Sequence, residues 1–173
     1  MTCRHMPDSL HSMTDKPAFP PIASENVAWE PFERGRFGSR FRHLTRAAMG
    51  ERPYHVGVAI EELPPGKQSC PFHFHMLEEE HLLVLEGECT LRLGEERLCF
   101  KAGDYAVFPA GEKTGHCLIN DTDAVCRYIV IGENNPNESC VYPDSNKVSN
   151  RWLGERYDRA AQRDYWDGEE QGD

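Results

Sequence analysis

Two histidines separated by one residue mark the segment of this chain with the clearest chemical potential. His73 and His75 flank Phe74 within the run SCPFHFHMLEEE. Alternate residues of a β-strand point to the same face, so both imidazoles can reach one point. A carboxylate from a neighbouring strand and an imidazole from a distant strand would complete a metal site. An acidic run at 78–80 follows directly, and His116 lies further along the chain.

Such a set of three imidazoles and one carboxylate suits several metal ions. Neutral imidazole and carboxylate are ligands for Fe(II), Mn(II), Ni(II), Zn(II) and Cu(II), and four protein ligands leave positions open for water or substrate. We therefore expect one divalent transition metal ion (Fe, Mn, Ni, Zn or Cu). The donor set does not fix its identity.

The elements that would position these ligands are short β-strands. In CTLRL at 89–93, apolar residues alternate with Thr90 and Arg92, as a half-buried strand requires. Glu86-Gly87 and Gly94-Glu95 are spaced like hairpin turns, with glycine supplying a positive φ. The predicted strands are RFRHLTR at 40–46, YHVGVAIEE at 54–62, HLLVLEG at 81–87, CTLRL at 89–93, RLCF at 97–100, YAVFP at 105–109, HCLIN at 116–120 and VCRYIVIG at 125–132. Many short strands separated by Gly and Pro turns predict an all-β sandwich or barrel.

The length of 173 residues fits one domain with extended ends. We expect an N-terminal extension and arm at 1–38, a β-barrel at 39–133 and a C-terminal arm at 134–173. Residues 1–12 lack periodicity and are interpreted as an extension or a misassigned start. Tyr165 and Trp166 in the tail are expected to dock onto the barrel or a partner subunit through their rings.

Charge and cysteine usage limit the possible partners. Lys and Arg number 19 against 29 Asp and Glu, which gives a net charge of −10 and no basic stripe for a phosphate backbone. No apolar run approaches the roughly 20 residues of a membrane-spanning helix. The seven cysteines form no C-x-x-C pair, and we expect reduced thiols in a cytoplasmic protein. We thus expect a small-molecule ligand or substrate, no nucleic acid and no membrane.

Two motifs in this chain resemble those of the cupin superfamily. The first reads roughly G-x5-H-x-H-x(3,4)-E-x6-G, and His73-x-His75, four residues, Glu80, six residues and Gly87 match it. Gly66 lies one residue further from His73 than the pattern asks. The second reads roughly G-x5-P-x-G-x2-H-x3-N and is matched, with a two-residue excess before the histidine, by Gly103, Pro109, Gly111, His116 and Asn120.

The resemblance covers roughly residues 54–132 and implies a double-stranded β-helix, the jelly-roll barrel of a single-domain cupin. It also implies that His73, His75, Glu80 and His116 bind the metal. Glu79 is the alternative acidic ligand under a shorter spacing, but strand alternation turns it to the opposite face from Glu80. A homodimer would fit the family.

The same resemblance leaves the activity open. The first hypothesis is a metal-dependent enzyme acting on a small organic molecule, of dioxygenase, decarboxylase, lyase or isomerase type. Tyr54, Tyr105 or Tyr128 would then be an acid, a base or an orienting group, although no catalytic residue is assigned. The alternative is a non-catalytic cupin that binds a sugar or another small ligand as a sensor or regulator.

Overall fold

The computed structural model describes residues 19–169, and the predictions for residues 1–12 lie outside this range. The described part contains thirteen strands and one short α-helix. The strands are β1 (Glu30–Arg34), β2 (Phe37–His43), β3 (Val56–Leu63), β4 (Phe74–His75), β5 (Glu80–Glu86), β6 (Glu88–Leu93), β7 (Glu96–Lys101), β8 (Tyr105–Phe108), β9 (His116–Ile119), β10 (Cys126–Glu133), β11 (Ser139–Tyr142), β12 (Lys147–Asn150) and β13 (Glu155–Asp158). The helix α1 is Leu44–Met49, and 3-10 turns lie at Ser24–Asn26, Pro143–Ser145 and Arg159–Ala161.

These strands form three antiparallel sheets in the order β1-β2-β3-β10-β5-β8, β13-β12-β11-β4 and β7-β6-β9. A backbone bridge between His73 and His116 joins the second sheet to the third. The arrangement is the predicted all-β double-stranded β-helix. Within residues 19–169, no helix has the length and hydrophobicity needed to cross a membrane.

The core fills the space between the six-stranded and the three-stranded sheets. Three strands, β5, β6 and β10, each contribute two alternate residues, as alternation predicts. The buried cluster consists of Leu63, Leu82, Val84, Cys89, Leu91, Phe100, Phe108, Leu118, Cys126 and Tyr128. The metal-site candidates lie beside this cluster, so packed strands fix their backbone positions.

Two local predictions were wrong. The run 40–46 is a strand only to His43, where α1 begins; Ala47 and Ala48 favour a helix, and Gly50 ends it at φ 63°. Glu86-Gly87 is not a hairpin turn, because β5 pairs with β8 and β10, whereas β6 pairs with β7 and β9. Gly87 instead marks the corner at which the chain passes from one sheet to another. Gly94-Glu95 does form the predicted two-residue hairpin.

Strands also occur in both predicted arms. β1 and the start of β2 precede residue 39, and β11–β13 follow residue 133. In the tail, Tyr165 and Trp166 pack edge to face on each other but stay largely exposed, so their rings do not dock onto the barrel. The alternative, docking onto a partner subunit, stays a prediction. The division at residues 38 and 133 stays a prediction.

Candidate metal centre

The four predicted ligands come from three separate parts of the chain. His75 ends β4, Glu80 begins β5 and His116 begins β9. His73 precedes β4 and is tied to His116 by two backbone hydrogen bonds, of 3.2 Å from the His73 amide and 2.8 Å from the His116 amide. The register of strands distant in sequence therefore brings these residues together.

Their donor atoms converge on one point. The Nε2 atoms of His73 and His75 are 3.1 Å apart. The carboxylate of Glu80 lies 3.5 Å from His75 Nε2 and 3.6 Å from His116 Nε2. One donor atom from each of the four residues lies within 4.8 Å of all the others. A single ion placed between them could contact all four.

Hydrogen bonds on the outer side of two rings select the tautomer that a ligand needs. His73 Nδ1 lies 2.8 Å from the carbonyl oxygen of Pro71, and His75 Nδ1 lies 3.3 Å from Glu138 Oε1. A carbonyl or carboxylate oxygen only accepts, so each Nδ1 carries the proton. The lone pair of each Nε2 is then free to face the common centre.

His116 is oriented by packing. Its ring stacks on Phe108 with centroids 3.7 Å apart and planes 6° from parallel. Both ring nitrogens are buried without a hydrogen-bond partner among residues 19–169. A buried polar atom is unfavourable unless something bonds to it. A cation at the centre would satisfy Nε2, so the residues present fit a metal ion.

The electrostatics of the centre favour the metal-binding protonation states of Glu80 and His73, but not that of His75. Burial alone would raise the pKa of Glu80, but the imidazoles of His116 and His75 hold that pKa well below its usual value. Burial and the neighbouring His116 lower the pKa of His73 to about 4. Burial would also lower the pKa of His75, yet the surrounding carboxylates, Glu80 first, raise it overall. An ionised carboxylate and a neutral imidazole are the forms that bind a metal.

Glu138 is a functional candidate that sequence reasoning missed. It is 2% exposed and accepts hydrogen bonds from the amides of Met76 and Leu77, at 2.9 and 2.8 Å, besides contacting His75. Its position in a segment with loop composition gave no signal. Only the pairing of β11 with β4 brings it to the histidines.

The side chains of the other two acidic residues in the run 78–80 make their main contacts outside the metal centre. Glu78 is buried and ion-paired with Arg151, although it lies 3.7 Å from His75 Nδ1. Glu79 contacts His81 at 2.8 Å on the outer face. Of the two candidates weighed from sequence, the structure therefore brings Glu80, and not Glu79, to the imidazoles.

The candidate tyrosines separate by exposure. Tyr128 is 1% exposed and lines an interior cavity beside the centre, whereas Tyr105 is 59% exposed and contacts His81. Tyr54 lines a different cavity, beside α1. Tyr142, which was not a candidate, stacks on His73 with centroids 5.9 Å apart.

Three cavities meet at the histidines. The largest, of about 380 Å³, lies under the four-stranded sheet and reaches His73 and His75. A second, of about 180 Å³, reaches His75 and His116. The third, of about 210 Å³, lies inside the barrel and reaches His73, Glu80 and His116. A small molecule could approach the centre from any of these sides.

Cysteines near the centre are thiols. Burial raises the pKa of Cys117 to about 11 and that of Cys140 to about 12, and it also raises the pKa of Cys70. A protonated thiol is neither a nucleophile nor a metal ligand at neutral pH.

Several known proteins share this fold. A proposed sugar phosphate isomerase from Acidithiobacillus ferrooxidans is 28% identical over 81% of this chain and 90% of that chain, with a TM-score of 0.74. A cupin-superfamily sugar phosphate isomerase from Silicibacter pomeroyi is 26% identical over 86% of this chain and 98% of its own, with a TM-score of 0.71. A predicted oxalate decarboxylase from Thermotoga maritima, 22% identical over 67% and 100% with a TM-score of 0.56, shares the fold.

Comparison with curated protein sequences gave no significant match. The family described as the cupin domain matches residues 59–132, which contain both histidine-bearing motifs and all four residues of the centre. The strand order, the converging imidazoles and the similar structures agree with this match. The matched part of this chain, residues 59–132, is a cupin domain.

Proposed function

We propose that His73, His75, Glu80 and His116 bind one divalent transition metal ion. The observation that carries this proposal is the convergence of four donor groups within 4.8 Å, one of which, His116, has no other partner among the described residues. Iron, manganese, nickel, zinc and copper all suit three imidazoles and one carboxylate.

On this centre we propose a metal-dependent enzyme that isomerises a small phosphorylated sugar. Support comes from two similar structures, each covering more than 80% of this chain, that are described as sugar phosphate isomerases. Isomerisation lies within the reaction types expected from sequence. The small-molecule substrate predicted from sequence would then be a phosphorylated sugar.

The lining of the 380 Å³ cavity supports an anionic substrate. Arg151, Arg156, Ser149 and Asn150, which lie on or next to β12 and β13, line this cavity together with His73 and His75. Arg156 on β13 has no ion-pair partner among residues 19–169, while Arg151 is held by Glu78. Guanidinium groups bind phosphate through paired N–H donors, so a phosphate group would suit this cavity.

The chain's own groups would orient the other end of the substrate. A bound metal ion polarises a substrate carbonyl oxygen and stabilises the negative charge that develops on it. Tyr142 lines the same cavity beside His73, and burial raises the pKa of its phenol. Its hydroxyl therefore keeps its proton near neutral pH and can donate a hydrogen bond to a substrate oxygen.

Metal analysis of protein purified without chelators or affinity metals tests the centre. We expect near-stoichiometric metal in the wild type and its loss in His75→Ala and His116→Ala. His81→Ala is the matched control, because that histidine lies on the outer face and contacts Glu79 and Tyr105. A wild type that contains no metal and takes up none on titration would refute the proposal.

The reaction is tested by incubating the metal-loaded protein with phosphorylated aldoses and observing ketose formation by NMR. We expect turnover that stops in His116→Ala. Binding without turnover would instead support the sensor hypothesis, and neither binding nor turnover would refute this substrate class.

The homodimer and the cytoplasmic location expected from sequence stay predictions. Light scattering of the purified chain tests the first.

A further inference from the structure

On the inner face of the large sheet lies a buried glutamate with a carboxylate oxygen that has no partner in the described part of the chain. Glu61 on β3 is 4% exposed and lies between Ala59 and Leu63 on the inward face of that strand. Its cross-strand neighbours are Phe41 on β2 and Tyr128 on β10. A carboxylic acid in this position has no cation beside it.

Three oxygen atoms in this region lack hydrogen-bond partners within residues 19–169. They are Ser39 Oγ, Glu61 Oε1 and the hydroxyl oxygen of Tyr128. All three residues are at most 5% exposed. Three unsatisfied buried oxygens side by side are unfavourable, unless a ligand or water bonds to them.

The next residue on the same strand shows the contrast. Glu62 points to the opposite face and is also almost fully buried, but it accepts hydrogen bonds from Arg40 and Arg127. The strand therefore carries two buried carboxylates. That of Glu62 is bonded to two guanidinium groups, and that of Glu61 faces a cavity.

That cavity connects Glu61 to the metal centre. Glu61 and Tyr128 line one side of the 210 Å³ interior cavity, and His73, Glu80 and His116 line another. The space is large enough for part of a small organic molecule. An oxygen atom of a molecule bound at the centre can thus reach the unsatisfied oxygens.

We propose that Glu61 and Tyr128 form a second binding subsite, which holds a hydroxyl or carbonyl oxygen of the molecule bound at the histidine centre. This subsite rests on the proposed function, because it acts on the same substrate. Hydroxyl groups donate and accept hydrogen bonds, so Tyr128 suits either kind of oxygen.

The protonation of Glu61 agrees with this role. Burial, partly offset by the nearby hydroxyls of Ser39 and Tyr128, raises the pKa of Glu61 to about 7. A carboxyl group with such a pKa can donate a hydrogen bond in its neutral form and accept one when ionised.

Calorimetric titration of the metal-loaded protein with D-ribose 5-phosphate and D-glucose 6-phosphate tests the subsite. We expect Glu61→Gln and Tyr128→Phe to weaken binding by roughly tenfold or more, with unchanged metal content. Both substitutions preserve the side-chain shape, and circular dichroism checks the fold. Glu62→Gln is the matched control and should bind the sugars as the wild type does.

The outcomes separate the two proposals. Wild-type affinity in both Glu61→Gln and Tyr128→Phe would overturn the subsite and leave the metal-dependent enzyme standing. Equal weakening in Glu62→Gln would also overturn it, because the effect would then report loss of charge on β3. If neither sugar binds the metal-loaded wild type, both the subsite and the substrate class are refuted.

Discussion

Each histidine of the centre is held by a different neighbour. A backbone carbonyl holds His73, the carboxylate of Glu138 holds His75, and the ring of Phe108 holds His116. These contacts fix ring orientation before any ion binds, which lowers the entropy lost on binding.

Substituting Glu138 by Gln tests one of these contacts. The amide cannot accept from His75 and from the amides of Met76 and Leu77 together, so we expect metal affinity to fall roughly 10–100-fold. Competition with a chelator measures the affinity. Glu79→Gln, on the outer face, should leave it unchanged. An unaltered affinity in Glu138→Gln would show that the contact does not orient the ligand.

Stability of the metal-free protein should report the buried carboxyl of Glu61. Its pKa rises from 4.5 to about 7 on folding, so the folded chain binds more protons between these values. The free energy of unfolding therefore falls as pH rises through this window, by about 3 kcal/mol in total, and no further above it. Glu61→Gln lacks this loss and should gain stability relative to wild type as pH increases.

Urea denaturation of both proteins in chelator between about pH 5 and 8 provides the comparison. The difference in unfolding free energy should widen with pH. Parallel curves would mean that Glu61 titrates in the folded chain as it does in the unfolded one.

For single residues, the sequence was informative where the spacing between two residues determines which face of a strand they share. The i, i+2 histidines predict a common face from strand geometry alone, and alternation favours Glu80 over Glu79. Glu61 and Glu138 could not be found in this way. Their environments depend on β10 and β11, which pair with strands far away in the chain.

Among the elements, the corner at Gly87 admits no side chain. Its φ is +77°, and an added Cβ would lie 2.6 Å from the carbonyl oxygen of Val125. Gly87→Ala should therefore destabilise the fold by roughly 2–4 kcal/mol, because the backbone would be strained and the new methyl group would clash with Val125, which directly precedes β10. Thermal or urea unfolding measures this loss.

Gly66 provides the matched control. It has a similar φ of +73°, but nothing lies within 4 Å of an added Cβ. Gly66→Ala should show only the backbone strain, about 1–2 kcal/mol. Equal losses in the two variants would mean that the contact with Val125 is relieved by a small shift.

The C-terminal strands complete the centre from outside the matched cupin region. β11 pairs with β4 through Cys140 and His75, and Glu138 directly precedes β11. A chain ending at Glu133 should lose at least tenfold in metal affinity and unfold at lower temperature. A chain ending at Ala161 should keep both properties. Retention of affinity in the shorter chain would favour an independent barrel.

Element prediction succeeded for strands with alternation or Gly-bounded apolar runs, as in β6 and β7. It missed β11–β13, whose composition is that of loops, because only Val141 among their twelve residues is buried. The first turn of α1, at 44–46, was assigned to a strand because the predicted run begins with RFRH, which belongs to β2.

In the whole molecule, apolar residues remain exposed along the outer face of the large sheet. Leu83, Leu85 and Val107, on β5 and β8, are 36–44% exposed. A dimer could cover this surface. A substitution on it therefore tests the expected homodimer. Leu83→Glu should then shift the mass found by light scattering towards the monomer, whereas a dimer that survives would use another surface.

A metal ion bound by His73 and His116 would also hold two sheets of the barrel together. Two backbone hydrogen bonds join two sheets here, and an ion between the same residues would act as a cross-link that closes the long chain segment between them. Free metal at 100 times its dissociation constant would add about 2.7 kcal/mol to the stability of the fold. The melting temperature of this barrel would then rise with the concentration of free metal around it.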